Sequence, residues 1–270
     1  MSQRWKITIE YKGTDYAGWQ IQPEVKTVQG EIMDALSRMC KADITLYGAG
    51  RTDSGVHATG QVAHFDLLDN TPVGTNFSEY KMREALNYFI GKQDISILKA
   101  EKVGKNFHAR FSATGRAYTY RISNRIAPLT YNKGVVWHTG GNKMNISRMH
   151  EAAQYLVGTH DFTSFRHFEA THQNPVRTID YINVTEVGDE IHINIGSRSF
   201  LHNQVRYITA ALQLVGYGHW EIIRIKEVLD AKSRLKGGPL APPTGLFLTE
   251  VLYGEENPYL YNSENEKNED

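Results

Sequence analysis

The sequence lacks the features that mark exported, disulfide-linked or membrane-spanning proteins. Its 270 residues include one cysteine, Cys40, which excludes an intramolecular disulfide and a zinc site built from several thiolates. No apolar run approaches the ~18 residues of a membrane span. The opening stretch MSQRWKITIEYKG has no apolar segment of the kind found in signal peptides. We therefore expect an ordered cytoplasmic protein with no membrane segment.

Net charge is also missing, because 30 basic residues balance 30 acidic ones. The balance is uneven along the chain, since the last sixteen residues, EENPYLYNSENEKNED, contain six acids and one lysine. The rest of the chain therefore has 24 acids (30 − 6) and 29 bases (30 − 1). This mildly basic body permits a local cationic surface for a polyanion. We predict that residues 255–270 form a disordered acidic tail.

Hydrophobic periodicity in residues 1–107 predicts an α+β half in the order β-α-β-β-α-β, which is ferredoxin-like or RRM-like. The predicted elements are a strand over Arg4–Tyr11, a helix after its N-cap Thr27, strands over Ile44–Tyr47 and Gln61–Leu67, a helix containing Met82–Ile90, and a strand over Ile95–Val103. This order leaves a glycine-rich loop, Gly48–Thr59, between the two middle strands. We expect that loop to project from the sheet.

Residues 108–254 predict a second, similar half with a less regular pattern. Its predicted elements are strands over Ala117–Ser123 and Val135–His138, a helix over Ile146–Val157, a hairpin of Ile179–Val187 and Glu190–Ile195, helices over Val205–Val215 and Trp220–Leu229, and a strand over Leu246–Tyr253. No sequence repeat of fixed period accompanies this duplication. The sequence thus predicts two halves, each with a largely antiparallel mixed sheet flanked by helices.

The stretch GAGRTDSGVHATGQVAHFD, residues 48–66, nearly matches two phosphate-binding loops and completes neither. Asp53 stands where a dinucleotide-binding G-x-G-x-x-G has its third glycine. Val56 and His57 stand where a P-loop has Lys followed by Ser or Thr. What remains is one carboxylate, Asp53, two residues after Arg51 in a glycine-rich turn.

Asp53 has no second carboxylate close to it in the sequence, because the nearest acids are Asp43 and Asp66. Glycoside hydrolysis by two carboxylates therefore has no obvious second member. A lone ionised aspartate beside Arg51 suits a nucleophile or a base better than a general acid. The alternative is that Asp53 only turns the chain between two strands, hydrogen-bonded to its own backbone.

Eleven histidines raise the hypothesis of a metal-dependent hydrolase. His150 begins the stretch HEAAQ, in which Gln154 replaces the second histidine of H-E-x-x-H. One helix face therefore does not offer two imidazole ligands, and we expect no metal site. For His57, His64 and His108 we expect structural or RNA-contacting roles.

Two segments combine arginines with aromatic or apolar residues. In FHARFSATGRAYTYRISNR, residues 107–125, Tyr118 and Tyr120 share a strand face among arginines, a pattern that suits stacking on an unpaired base. The alternative interpretation of this pattern is a half-exposed strand with ordinary surface arginines. In SRSFLHNQVRYITAALQLVGYG, residues 197–218, Arg206 enters an apolar helix and needs a carboxylate or phosphate partner.

Taken together, these segments resemble the TruA family of tRNA pseudouridine synthases. GAGRTDSGVHATGQVAHFD resembles the signature of that family. Further segments, in order from Lys6 to about Tyr253, resemble other blocks of the family: YKGTDYAGWQ, TVQGEIMDAL, FHARFSATGRAYTYRI, GTHDFTSF, VRTID, SFLHNQVR and APPTGLFLTEV. Agreement of several blocks in one order is more specific than any single motif.

The resemblance implies the pseudouridine synthase fold and the isomerisation of uridine to pseudouridine at positions 38 to 40 of the tRNA anticodon arm. It implies that Asp53 is catalytic and that Tyr118 contacts the substrate. Arg51 and Arg206 match arginines of the family's motifs, and Leu246 matches an apolar position that lines the pocket. The resemblance also implies a homodimer that binds tRNA across both subunits and needs no metal or organic cofactor.

The sequence departs from the family pattern in the helix block and near its end. The departing residues are Gln204, Tyr207, Ala210, Leu214 and Pro243. We expect adjusted packing of that helix and an effect on the choice among the tRNA positions. Two other function classes stay open from the residues alone: an RNA-binding module without catalytic activity, and the metal-dependent hydrolase.

Overall fold

The computed structural model describes residues 2–68, 71–73, 77–168 and 174–254. Within these residues, ten strands and five α-helices follow one another as β1 (Ser2–Tyr11), α1 (Val28–Cys40), β2 (Tyr47–Gly48), β3 (His57–Leu68), α2 (Glu79–Ile90), β4 (Ile95–Val103), β5 (Ala113–Ser123), β6 (Trp137–His138), α3 (Ile146–Gln154), β7 (Gly158–Asp161), β8 (Val176–Val187), β9 (Glu190–Ser197), α4 (Gln204–Gly216), α5 (Arg224–Asp230) and β10 (Leu246–Tyr253). The predicted α+β class is confirmed. The predicted acidic tail, residues 255–270, lies outside the described residues.

These elements divide into two compact units. The first takes residues 2–114 and 247–254, and the second takes residues 115–246. This division differs from the predicted halves, 1–107 and 108–254. The Ala109 N–H donates to His64 Nδ1 of β3 at 3.1 Å, and Phe247 and Leu248 of β10 pair with β3 in parallel. These long-range bonds hold both segments to the first unit. The predicted bounds of the two halves stay a prediction.

The sheet of the first unit has the predicted ferredoxin-like order. β1 lies between β4 and β3 and pairs antiparallel with both, and the short β2 pairs antiparallel with β3. The strand order β4-β1-β3-β2 is that of a split βαβ unit, in which α1 and α2 are the crossover helices. β10 adds a parallel pairing at the beginning of β3.

Alternating apolar residues explain how the first sheet buries one face. Trp5, Ile7 and Ile9 of β1 are all inaccessible to solvent, because every second side chain of a strand points to the same face. The Thr27 side chain caps α1 by accepting the Gly30 N–H at 3.2 Å, as predicted. The helix residues that the periodicity assigned to the core, including Ile32, are buried in the structure.

The second unit contains an antiparallel sheet in the order β5-β9-β8-β7, with β6 pairing parallel to the end of β5. Three of its strands, β5, β8 and β9, numbered among themselves in chain order, stand in the order 1-3-2, as β1, β2 and β3 do in the first unit, although β6 and β7 intervene in the chain. The predicted hairpin is present, and Gly188 makes its turn with φ +59°. The two units therefore share a three-strand arrangement and differ in the fourth strand, because β4 lies beside β1 whereas β7 lies beside β8.

Several element boundaries differ from prediction. Only Tyr47 and Gly48 pair in β2, so Ile44–Tyr47 is not a strand, although Ile44 and Leu46 are buried. The predicted helix Trp220–Leu229 begins later, at Arg224, because the preceding residues form turns. β7 was not predicted. Apolar residues in these segments indicate burial, but they do not show whether the backbone pairs in a β-ladder or forms a turn.

Candidate active-site loop

The loop that carries Arg51 and Asp53 spans residues 49–56, between β2 and β3. It is shorter than the predicted Gly48–Thr59 because β3 already begins at His57. Its last four residues form a turn in which the Val56 N–H donates to the Asp53 carbonyl oxygen at 3.1 Å. Gly55 occupies the third position of this turn with φ +77°, the position at which a type II turn requires glycine. The turn fixes the backbone at Asp53.

A second segment of the chain, residues 13–19, holds this loop in place. The Trp19 N–H donates to the Thr52 carbonyl oxygen at 3.1 Å, directly before Asp53. The Ser54 hydroxyl donates to the Tyr16 carbonyl oxygen at 3.2 Å, directly after Asp53. Both neighbours of Asp53 are thereby bonded to one segment, so its half-buried side chain projects from a fixed backbone.

Two glycines of the stretch YKGTDYAGWQ allow the close approach of the two segments. A Cβ atom on Gly13 would lie 1.9 Å from the Val56 carbonyl oxygen. A Cβ atom on Gly18 would lie 2.7 Å from the Thr52 carbonyl oxygen, and Gly18 also has φ +95°. Only glycine fits at either position without displacing the loop backbone. The sequence analysis missed this role because the contacts join residues that are far apart in sequence.

Buried polar groups support the loop from below. The Tyr11 and Thr52 hydroxyls lie 2.7 Å apart, and both residues are buried. The Gln61 side-chain amide donates to the Gly50 carbonyl oxygen at 3.0 Å. His57 Nδ1 accepts the Gly13 N–H at 2.9 Å. Because satisfied buried polar groups define a specific geometry, these bonds make the loop rigid. They also give His57 the structural role that was expected for it.

The Arg51 side chain lies on the exposed side of the loop. Its Nε donates to the Gln20 side-chain oxygen at 3.1 Å, and the Gln20 amide donates to Gln29 Oε1 at 2.8 Å. Gln29 is buried, and its own amide donates to the Leu46 carbonyl oxygen at 2.8 Å. This chain of bonds orients the guanidinium and keeps it within reach of solvent. The structure thus brings Arg51 and Asp53 together on one exposed loop.

The other three predicted site residues lie in the second unit. Tyr118, on β5, is half-buried, and its ring meets Phe200 edge-on with centroids 5.2 Å apart. Leu246 begins β10 and is 6% exposed. Just before it, the Tyr120 hydroxyl donates to the Pro242 carbonyl oxygen at 2.6 Å. Tyr120 is therefore a buried anchor, so that of the two tyrosines on this strand face only Tyr118 is partly exposed.

Arg206 lies in the first turn of α4 and is bonded at both ends of its guanidinium. Its Nε donates to the Ala241 carbonyl oxygen at 2.8 Å, and its Nη1 donates to Asn203 Oδ1 at 2.9 Å. Asn203 is the N-cap residue of the helix, with φ +62°. Two neutral oxygens therefore accept hydrogen bonds from Arg206, for which the sequence predicted a carboxylate or phosphate partner.

The arginines of residues 116–125 also make bonds within the second unit. Arg121 pairs with Glu190 at 2.8 Å, and Arg125 pairs with Asp189 at 3.1 Å. The Glu190 carboxylate has a lowered pKa: burial raises it, and hydrogen bonds from Arg121, His192 and Asn132 outweigh that effect. These arginines stabilise the β8–β9 hairpin, as expected of ordinary strand residues.

The departures from the family pattern in α4 are accommodated by local contacts. Buried Gln204 accepts the Leu201 N–H through Oε1 at 2.8 Å. The Tyr207 ring lies under the Arg234 guanidinium, with 3.7 Å between the central guanidinium carbon and the ring centroid. A cation at this distance over an aromatic face is attracted to it. Gln204 and Tyr207 therefore each make a specific contact where they differ from the family pattern.

The HEAAQ stretch attaches α3 to the second sheet. His150 Nδ1 accepts the Val184 N–H at 3.3 Å, and the Gln154 side chain donates to the Ile182 carbonyl oxygen at 3.0 Å. Among residues 2–68, 71–73, 77–168 and 174–254, no three His, Cys, Asp or Glu side chains are grouped to hold a metal ion. In the same residues, no helix is long and apolar enough to cross a membrane.

Comparison with known proteins assigns the chain to a family. The family described as "tRNA pseudouridine synthase" matches residues 7–112 and 152–254. The chain belongs to this family. Proteins named tRNA pseudouridine synthase A are similar over nearly their whole length: one from Caulobacter vibrioides (strain NA1000 / CB15N) is 45% identical over 93% of this chain and 99% of its own. One from Paramagnetospirillum magneticum (strain ATCC 700264 / AMB-1) is 46% identical over 93% of this chain and 95% of its own.

Among solved structures, a crystal structure of a Cbf5-Nop10-Gar1 complex is similar at 14% identity with a TM-score of 0.30. The match covers 77% of this chain and 54% of that one. A likeness this weak adds nothing to the family assignment, which depends on the sequence relatives. Asp53 lies within the matched residues 7–112, on the loop that residues 13–19 hold in place.

Proposed function

We propose that this protein isomerises uridine to pseudouridine at positions 38 to 40 in the anticodon arm of tRNA. Family membership over most of the chain supports this assignment, and it makes the protein an isomerase. The observation that carries the chemistry is the rigid presentation of the half-buried Asp53 carboxylate beside the exposed Arg51. We also propose that the protein acts in the cytoplasm, where tRNA is modified. The single cysteine, Cys40, is a buried free thiol, which fits a reducing compartment.

The proposed reaction exchanges one bond to the ribose for another. The N1–C1′ bond of the target uridine breaks, and a C5–C1′ bond forms in its place. C5 loses its proton to water and N1 gains one, so the product is an isomer and no redox cofactor is consumed. Asp53 acts either by attacking C1′ or by removing the C2′ proton. Both routes require an ionised carboxylate against the sugar.

The remaining candidate residues have proposed roles in handling the base. A target uridine stacked in the arm has to leave the stack first, at a cost of roughly a few kcal/mol. Arg51 braces the vacated position in the stack, Tyr118 stacks on the detached uracil while it rotates, and Leu246 makes an apolar contact with the base. Arg206 holds the sugar–phosphate of the target nucleotide. Each role suits the chemistry of its side chain.

Release of tritium from tRNA labelled as 5-³H-uridine tests the function against its alternatives. The isomerisation releases the C5 label, and the proposed route predicts the same release with and without EDTA. Tight tRNA binding without release would identify an RNA-binding module. Activity that EDTA abolishes would identify a metal-dependent enzyme.

Replacing Arg51 with alanine is expected to lower the rate of isomerisation more than the affinity for tRNA. Base extrusion depends on this one side chain, whereas affinity is shared among many phosphate contacts. The measurement is single-turnover tritium release at saturating tRNA, with the dissociation constant determined separately. Arg83→Ala is the control, because Arg83 is a surface arginine of the first unit paired only with neighbouring Glu84 in the ion pairs described. A proportional loss of affinity in Arg51→Ala would make Arg51 an anchor instead.

We also propose that the active form is a homodimer that binds tRNA across both subunits. Residues 1–254 carry a net charge of only +5 (29 − 24), which offers one copy little surface for a large polyanion. Two symmetric copies double the phosphate contacts without a strongly basic sequence. Light scattering is expected to give twice the 30.6 kDa chain mass for the free protein, and that mass plus the mass of the tRNA for the complex. Full activity at concentrations where only single chains are present would contradict this proposal.

A further inference from the structure

Four aromatic rings form a continuous cluster on the first unit. Tyr47 stacks on His64 with centroids 5.0 Å apart and planes at 19°, and the His64 and His108 centroids are 4.5 Å apart. Phe111 follows, with its centroid 4.4 Å from that of His108. His64 is buried, whereas the end rings, Tyr47 and Phe111, are 49% and 78% exposed. The cluster therefore offers aromatic surface to solvent at both ends of a supported row.

The two imidazoles in this row are fixed and uncharged at neutral pH. His64 Nδ1 accepts the Ala109 N–H at 3.1 Å, and burial lowers the pKa of His64 to about 4, aided by the charges of its neighbours. His108 Nδ1 accepts the N–H groups of Arg110 and Phe111 at 3.2 and 3.3 Å, and burial lowers its pKa too. Neutral rings held by backbone bonds make a rigid stacking support.

A cation borders the Phe111 end of the cluster. The Arg110 guanidinium lies over the Phe111 ring, 5.7 Å from its centroid, and Lys105 is exposed nearby in the chain. The acid closest to the cluster on β3, Asp66, is neutralised by Arg4, which donates to both its oxygens at 2.8 and 2.7 Å. The surface thus combines neutral aromatic faces with positive charge, the combination that binds unpaired nucleotides.

The cluster adjoins the start of the catalytic loop, after β2, and lies away from the turn at the other end of the loop, which holds Asp53. The loop ends where β3 begins at His57, and His64 lies seven residues further along that strand. At ~3.3 Å per residue, this separates His64 from the end of the loop by about 23 Å. The register places Tyr47 directly opposite His64. A nucleotide bound at this cluster is therefore not the nucleotide that reacts at Asp53.

We propose that this cluster is a second RNA site, at which an unpaired base of the bound tRNA stacks on Phe111 or Tyr47 while Arg110 contacts its phosphate. The proposal rests on tRNA being the substrate, and it adds a contact that holds the tRNA at a distance from the reacting uridine. Protein interfaces are also enriched in tyrosine, phenylalanine and arginine, so a second copy of the chain is the competing occupant, and the experiments below distinguish the two.

Alanine substitution of the exposed rings tests the proposal. Phe111→Ala and Tyr47→Ala are each expected to weaken binding of an unmodified tRNA transcript about tenfold, since one base stacked on an aromatic ring contributes on this scale. The rate of tritium release at saturating tRNA is expected to stay unchanged. Phe111→Trp keeps a stacking face and is expected to retain affinity. Tyr88→Ala is the matched control, because Tyr88 is an 81% exposed ring on α2 of the same unit.

Salt dependence separates stacking from charge. Arg110→Gln is expected to reduce the slope of log affinity against log salt by roughly 0.7 to 0.9, the contribution of one phosphate contact, whereas Phe111→Ala leaves the slope unchanged.

Unchanged affinity in both ring variants would overturn the proposal. So would a change confined to light scattering, which would assign the surface to a second copy of the chain. Tritium release without any effect of the ring variants would retain the isomerase and reject the site. Weaker tRNA binding by the ring variants, with no tritium release by the unchanged protein, would retain the site and reject the isomerase.

Discussion

Asp53→Asn is expected to abolish isomerisation, with a loss of about a thousandfold or more in the single-turnover rate, because removal of a reacting group costs on this scale. The asparagine side chain has the same shape and lacks the charge that both proposed routes need. Affinity for tRNA and the thermal midpoint are expected to stay close to those of the unchanged protein, since the loop is held by the backbone bonds of its neighbours. Tritium release, a tRNA titration and thermal denaturation measure the three quantities.

Asp43→Asn is the control for this substitution, because Asp43 is an exposed acid of the same unit. It removes one negative charge without touching the loop. A near-normal rate in Asp53→Asn would remove the catalytic assignment. Asp53 would then have only the turn-forming role that was the alternative at the level of the sequence.

Gly13→Ala is expected to reduce both stability and activity, although residue 13 has no reacting group. The added Cβ would lie 1.9 Å from the Val56 carbonyl oxygen, so the backbone of one segment has to move. Overpacking of this kind costs about 1–3 kcal/mol of unfolding free energy. A displacement of the loop by about 1 Å also lowers the rate by about a hundredfold, because reacting groups tolerate little misplacement.

The effect is measured by thermal denaturation and by tritium release at a temperature below the midpoints of both proteins. Gly104→Ala is the matched control, because a Cβ at Gly104 would meet nothing within 4 Å. Equal stability and equal rates in Gly13→Ala and Gly104→Ala would show that the segment 13–19 does not position the loop.

Much of the fold follows from sequence periodicity. β1, α1 and the β8–β9 hairpin were predicted because alternation, an N-cap and a glycine turn are local signals. The two-residue β2 and the membership of β10 in the first unit were not predictable in this way. Both are decided by pairing with β3: β10 lies far from β3 in the sequence, and the length of β2 depends on how many residues of this segment reach the β3 ladder. Local patterns show which residues are buried and not which strand accepts them.

The candidate site shows the same limit. The glycine-rich turn and the resemblance selected Arg51 and Asp53 from the sequence, and the structure places both on one exposed loop. The supports beneath them, such as the Tyr11–Thr52 hydroxyl contact and the close approach at Gly13, join distant segments and carry no local signal. Strand alternation places Tyr120 on the same face as Tyr118, but it gives no sign that the Tyr120 hydroxyl reaches the Pro242 carbonyl in a buried contact.

Chemical mapping of pseudouridine in tRNA tests the central claim most directly. Unmodified tRNA transcripts with uridine at position 38, 39 or 40 are incubated with the purified protein, treated with a carbodiimide that marks pseudouridine, and read by primer extension. The account predicts new stops at the anticodon-arm uridines with the unchanged protein and none with Asp53→Asn. No stops with either protein, or stops only outside positions 38 to 40, would contradict it.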